Sequence, residues 1–277
     1  MKKHGWICAG ALALMSVAAP LVAQEMPQPV VEKPVVERPV VEKPAEPALP
    51  TIKEIVDKLD NMYRSTSSHG TIEMTVVNAR GTRKLTIEQW TMGEDKALMV
   101  IREPSREAGT ATLKLEDGLW NYAPRADRLI RIPSGLLSDS WMGSHLSNDD
   151  LMRETSYESD HDTTLAWVHE GGARFLQATM VPKPTAPVVW DKIVYRMTAD
   201  EWLPVEASFY DKGKVMRTMS FSEIKEMGGR RVPTVMVFKP QKEGEHTRMV
   251  YKSLEFDTKI DAAMFTQQGL RRVARTR

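Results

Sequence analysis

Residues 71–92 read TIEMTVVNARGTRKLTIEQWTM, and this stretch decides the fold. Ile72, Met74 and Val76 alternate with polar residues. Successive side chains of a strand point to opposite faces, so a period of two marks a half-buried β-strand. Asn78-Ala79-Arg80-Gly81 supplies the residue types of a tight turn. Leu85 and Ile87 then resume the alternation, which runs on through Trp90 and Met92.

Outward from this hairpin the same signal repeats along the chain. Ala97–Arg102 is closed by Pro104. Thr110–Leu115 and Leu119–Tyr122 flank Glu116-Asp117-Gly118, a hairpin signature, and Arg128–Ile132 follows. After an irregular interval come Thr163–His169, Ala173–Val181, Val188–Met197, Leu203–Tyr210, Val215–Met227, Val232–Lys239 and Thr247–Phe256, several separated by Gly-Gly or Lys-Gly. Eleven to thirteen strands joined by short turns predict an antiparallel meander, mostly β with a few helices (α+β). A meander this long curls or closes on itself. Thr51 caps a helix with Ile52, Ile55, Val56, Leu59 and Met62 at helical spacing, ending near Tyr63. Asp261–Phe265 reads as one last helical turn on a sheet edge.

The first 50 residues differ in kind. Lys2 and Lys3 precede an uncharged apolar run from Trp6 to Ala23, the pattern of a signal peptide over residues 1–23, cut after Ala23. Cys8 lies too early to anchor a lipid, and it is the only cysteine, so the exported domain would hold itself together by an ordinary core. Residues 24–50 hold three V-V-E-(K/R)-P units. Proline every fifth residue blocks helix and sheet, which predicts a disordered spacer. The domain then spans residues 51–273, with a basic tail over 274–277. Arg271, Arg272, Arg275 and Arg277 are expected to be solvated, or else to touch anionic headgroups.

Composition excludes several functions. Lys and Arg number 38 against 37 Asp and Glu; loss of Lys2 and Lys3 turns the formal +1 into −1, which gives no case for nucleic acid. The nucleophile elbow, P-loop and dinucleotide fingerprint are absent. Asp160-His161-Asp162 could suggest a metal, but extended chain turns its two acids away from the histidine. Ser144 beside His145 could suggest a nucleophile pair, yet sequence neighbours rarely align that way. No cofactor, metal or enzymatic activity is therefore expected. Seventeen methionines and seven tryptophans stand out instead. Methionine suits surfaces that accommodate variable apolar shapes, and Trp90, Met92, Met99, Trp120, Tyr122, Trp141 and Met142 fall in or near the first half of the strands.

The interval that breaks the strand rhythm, Pro133–Leu146, carries Leu136, Leu137, Trp141, Met142 and Leu146 without regular period. Ser147 follows as a helix cap, with Asp149 and Asp150 in the first turn. An apolar but irregular segment of this length predicts a plug over the core or a functional lid.

Residues 120–151, WNYAPRADRLIRIPSGLLSDSWMGSHLSNDDL, resemble the LolA-like outer-membrane lipoprotein-sorting proteins. The matching pattern is W-x-Y-x-P on a strand, a basic strand ending in Arg-Ile, then S-x-x-M-G-S and an acidic helix start. Trp120, Tyr122, Pro124, Arg128, Arg131, Ile132, Ser140, Met142, Gly143, Ser144, Asp150 and Leu151 carry it. Leu203–Glu206, Pro233-Thr234 and Phe265 look similar downstream. The chain departs from the pattern at His145, where an acid is expected, and at Trp141, where Phe is usual.

The resemblance implies an unclosed β-barrel, a strongly curved antiparallel sheet with helices across its open side, around a hydrophobic cavity. It implies binding of acyl chains of lipids or lipoproteins in the periplasm, with an RND/MMPL-type membrane transporter as partner. The alternative it leaves is an RseB-like periplasmic sensor on the same fold. Cavity or lid candidates are Trp90, Met99, Ile101, Trp120, Tyr122, Ile130, Ile132, Leu136, Leu137, Trp141 and Met142.

Overall fold

The computed structural model describes residues 46–152, 160–184, 186 and 188–276. The stretch read as a signal peptide, most of the proline-rich segment and Arg277 lie outside the described residues. Glu46–Arg277 forms one compact unit.

Thirteen strands form one antiparallel sheet: β1 (Ser67–Asn78), β2 (Gly81–Met92), β3 (Lys96–Glu103), β4 (Ala111–Leu115), β5 (Gly118–Ala123), β6 (Arg128–Arg131), β7 (His161–Glu170), β8 (Ala173–Pro182), β9 (Lys192–Thr198), β10 (Pro204–Asp211), β11 (Lys214–Met227), β12 (Arg230–Pro240) and β13 (His246–Phe256). The hairpin read at residues 71–92 is present in register, with Ile72 opposite Ile87 and Met74 opposite Leu85.

The order across the sheet is β6-β5-β4-β3-β2-β1-β13-β12-β11-β10-β9-β8-β7. A single meander in chain order would place β6 beside β7. Instead the chain runs outward from β1 to β6, crosses to the far edge at β7, and returns until β13 pairs with β1. β6 and β7 are thus the two free edges of an unclosed barrel, and the chain passes between them through a connection of which residues 132–152 and 160 are described. Residues 132–152 have no strand rhythm because they do not join neighbouring strands; they reach β4, β11 and β13 through side-chain contacts. Gly70 lies where β1 and β13 approach closely; a Cβ there would come within 2.6 Å of the Ser253 carbonyl oxygen.

Helix α1 (Ile52–Asn61) starts at a capping box. Glu54 N–H donates to Thr51 Oγ1 at 3.2 Å, and Thr51 N–H donates to Glu54 Oε2 at 2.7 Å, satisfying two otherwise orphaned donors. Ile55 and Val56 are buried and Ile52 is exposed. Tyr63 stacks on Tyr251 of β13, ring centroids 5.0 Å apart. Helix α2 (Asn148–Met152) lies in the crossover.

The C-terminus departs from expectation. The turn Ala262–Phe265 is present, but a third helix, α3 (Gln267–Arg275), follows it, capped by Thr266. Residues 271–275 therefore are not a solvated tail. Leu270 and Ala274 are buried against the sheet, Arg271 and Arg275 face Asp127, and Arg272 faces Asp261. Arg102 of β3 donates to the carbonyls of Val273 and Thr276 at 3.1 and 2.6 Å, which satisfies the helix end. The spacer also ends earlier than residue 50, since Trp167 Nε1 donates to the Pro47 carbonyl at 2.7 Å. Among the described residues, no helix is long and apolar enough to cross a membrane.

Two hydrophobic cores result, one on each face of the first half-sheet. Ala97, Met99 and Ile101 of β3 join the large core with α1 and the returning strands. Leu98 and Val100, between them in sequence, join a smaller core under α3 with Trp90, Leu113, Trp120, Tyr122, Phe265 and Leu270. β3 is buried on both faces, so its run KALMVI shows no alternation.

Candidate functional site

A cavity of about 160 Å³ opens within the large core. Leu59, Met62 and Tyr63 of the α1 region form one wall, and Met99 of β3 faces the middle. Trp141, Leu146, Asp150 and Leu151 of the crossover close it, and Phe209, Arg217, Met219, Met236, Phe238, Met249 and Tyr251 of the returning strands form the opposite wall. The lining is mostly apolar, interrupted by Gln89, Asp150 and Arg217, and includes five flexible methionines that can repack around different shapes.

The crossover is tied to both halves of the sheet. Its tip is a small hairpin, with Trp141 N–H donating to the Leu146 carbonyl at 2.8 Å and Ser140 bridged to Ser147. Met142 (φ 50°) and Gly143 (φ 70°) both take the left-handed conformation, and Ser144 N–H closes back on the Trp141 carbonyl at 2.9 Å. Two left-handed residues in succession are what a type I′ hairpin turn requires. The buried Trp141 indole donates from Nε1 to Thr112 Oγ1 of β4 at 3.0 Å. On the same side Arg83 of β2 donates to the Met142 carbonyl and pairs with Glu107. The Arg83 guanidinium holds the Glu107 carboxyl below the usual glutamate range.

The other half of the sheet holds the crossover from β13 and β11. His145 N–H donates to Thr247 Oγ1 at 3.0 Å, its ring Nδ1 bonds the same hydroxyl at 2.8 Å, and Nε2 faces Glu245 at 3.4 Å. Glu245 is in turn held below its ordinary pKa, first by Lys242, with His145 contributing. Arg217 of β11 donates to both carboxylate oxygens of Asp150, at 2.6 and 2.7 Å, and to the His145 carbonyl at 3.1 Å. Such a two-pronged arginine–carboxylate pair is among the stronger hydrogen-bonded contacts. Ser147 N–H and Oγ also donate to Asp150, at 2.7 and 2.9 Å.

The residues read from sequence divide between several environments. Met99, Trp141 and Asp150 border the cavity, and Ile101 is buried in the same core. Trp90, Trp120 and Tyr122 do not line it; they sit on the opposite face, beneath α3. There Trp90 stacks on His69, Arg131 lies over Trp120 at 5.4 Å, and the Tyr122 hydroxyl donates to Asp127 at 2.9 Å. That hydroxyl, more than the nearby arginines, keeps the Asp127 carboxyl below its ordinary pKa. Ile130 and Leu136 are exposed. Ile132 and Leu137 border a separate surface depression with Asp117, Arg131 and Met152. Met142 is half-buried at the turn.

Among the resemblance residues, Pro124 opens a 3₁₀ turn (Pro124–Ala126) beside α3, Arg128 is exposed on the edge strand, and Gly143 and Ser144 shape the crossover tip. The Ser144 hydroxyl donates to the Trp141 carbonyl at 2.8 Å, not to His145. His161 is buried on β7 while Asp162 is exposed, so the polar trio does not converge.

Arg217 was missed. Its signal is visible in Val215, Arg217, Met219 and Phe221, alternate residues of one strand. An arginine on an otherwise apolar face needs a buried partner.

An unclosed antiparallel barrel, a crossover strapped over its opening and an apolar cavity beneath define a LolA-like fold. Known structures agree in fold. A domain from Vibrio parahaemolyticus described as an outer membrane lipoprotein-sorting protein superposes with a TM-score of 0.67 at 22% identity, covering 79% of this chain and 97% of that one. A DUF1329 family protein from Desulfovibrio piger gives 0.70 at 21% identity, covering 78% and 96%. A LolA superfamily protein from Nitrosomonas europaea gives 0.66 at 19% identity, covering 79% and 98%. A family model described only as "-like: Uncharacterized protein" matches residues 93–272, more than half of the chain, and the chain belongs to that family. No curated protein matches it.

Proposed function

We propose that this protein is a periplasmic carrier that binds the acyl chains of lipids or lipoproteins and moves them towards the outer membrane. The observation that carries this reading is the methionine-rich cavity beneath a crossover held by side-chain contacts from both halves of the sheet. Burial of an acyl chain contributes roughly 0.8 kcal/mol per methylene, so affinity grows with chain length without polar contacts. Entry requires the crossover to move, and cargo that occupies the cavity then competes with Trp141 and Leu146 for the same walls. The fold shared with a lipoprotein-sorting domain supports the choice of cargo.

Export rests on the charged start and apolar run of residues 1–23. A membrane transporter of the RND/MMPL type as partner rests on the sequence resemblance, and crosslinking in whole cells tests it. Binding without catalysis is part of the same proposal; it is supported by the Arg217–Asp150 pair at the cavity, in which the charged groups hold the crossover. Mass spectrometry of organic extracts from periplasmic protein tests the central reading. Stoichiometric acyl lipid in the extract is the expected result; protein that purifies free of lipid, and takes up none when mixed with vesicles, would contradict it.

A further inference from the structure

We infer that Arg217 is a head-group site, and that the cargo it selects is a single acyl chain ending in a carboxylate. The inference rests on the carrier reading and names the ligand class within it.

Arg217 is 5% exposed and borders the cavity. Among the described residues, the only other charged one bordering the cavity is Asp150, to which Arg217 is paired. Phe209, Trp190 and Phe238 surround the guanidinium, with ring centroids at 4.2, 5.0 and 5.8 Å. This leaves the cation stacked on aromatic faces and fixed in orientation. Nη1 and Nη2 grip a carboxylate; Nε, buried, has no hydrogen-bond partner among the described residues. The fork is thus already shaped for a carboxylate and holds one donor in reserve.

Asp150 belongs to the crossover, not to the sheet. When the crossover lifts to admit cargo, Asp150 leaves with it, and its partly exposed carboxylate can enter water. Arg217 cannot follow, because it is anchored on β11 among aromatic rings. A buried guanidinium stripped of its counter-charge is strongly destabilising, so opening is favoured by a ligand that brings its own anion. A fatty acid does this: its tail fills the apolar cavity while its carboxylate replaces that of Asp150. A neutral ester of the same chain fills the cavity but leaves Arg217 bare. The pair therefore acts as an exchangeable lock that couples opening to the charge of the cargo.

The test compares oleate, oleyl phosphate and methyl oleate in displacing a fluorescent fatty-acid ester from the full chain. Wild type should bind oleate about tenfold to a hundredfold more tightly than methyl oleate, the range expected for a charge-assisted hydrogen-bonded pair. Asp150→Asn should tighten oleate and keep that preference. Asp150→Asn combined with Arg217→Gln, which leaves no buried charge unpaired, should erase the preference while methyl oleate still binds. Equal affinity for acid and ester in wild type, or a preference that survives in the double variant, would overturn the head-group site and leave the carrier reading standing. Tighter binding of oleyl phosphate than of oleate would overturn the carboxylate assignment. Failure of all three to bind would sink the carrier reading itself.

Discussion

Replacing Trp141 should loosen the crossover more than any other single change in it. The side chain is 1% exposed, packs in the large core and donates to Thr112 Oγ1. Truncation to Ala removes a large buried aromatic and leaves a cavity, a change that costs about 3–5 kcal/mol in well-packed sites. For a domain of this size each kcal/mol lowers Tm by roughly 2–4 °C, so Trp141→Ala should melt roughly 6–20 °C lower. Trp141→Phe keeps most of the apolar contact but loses the indole donor, about 1 kcal/mol. Thr112→Val strands the same donor in the core and should cost about 1–3 kcal/mol. Leu136→Ala, at an exposed site, should stay within about 0.5 kcal/mol. Urea denaturation followed by tryptophan-independent circular dichroism measures all four. If Trp141→Ala costs no more than Leu136→Ala, then Trp141 does not anchor the crossover, and its part in closing the cavity is withdrawn.

Two further predictions follow from the other ties. Gly269 of α3 lies so close to the preceding turn that a Cβ would come within 1.9 Å of the Ala263 carbonyl oxygen; Gly269→Ala should shift the helix off the sheet at about 1–3 kcal/mol, and an unchanged urea midpoint would show that α3 is not docked as described. Glu107 is held below its ordinary pKa by Arg83, so its contribution is present above the unfolded carboxylate value of about 4.3 and lost as pH falls through the lower folded value. The stability gap between wild type and Glu107→Gln should therefore be present at pH 6 and shrink towards pH 3, and a gap independent of pH would refute the tie.

The strands were legible because their alternation is local: Ile72, Met74, Leu85 and Ile87 mark one face in sequence and meet in register across the hairpin. The two-faced burial of β3 matches the unbroken apolar run ALMVI over residues 97–101. What period two cannot say is which of two buried faces holds a cavity. Trp90, Trp120 and Tyr122 read as cavity candidates from their apolar character and the family resemblance, whereas they pack under α3. That helix is hard to read because its five charged or amide residues, Gln267, Gln268, Arg271, Arg272 and Arg275, outnumber Leu270, Val273 and Ala274, although Thr266 is a legible cap. The crossover was legible as irregular, but its span between free edges was not, since pairing of β1 with β13 joins the ends of the domain. Arg217 and Asp150 lie 67 residues apart; Asp150 stands out in sequence as an acid at a helix start, Arg217 does not, and only the fold brings them together.

Photocrosslinking reads directly whether an acyl chain occupies the methionine-lined cavity. A fatty acid bearing a diazirine near its terminal methyl is bound to the full chain, irradiated, and the labelled peptides are identified by mass spectrometry. The account predicts label on the peptides that carry Met219, Met236 and Met249, lost when excess oleate competes. Label confined to the face beneath α3, around Trp90 and Trp120, or to the surface depression at Leu137, would contradict it.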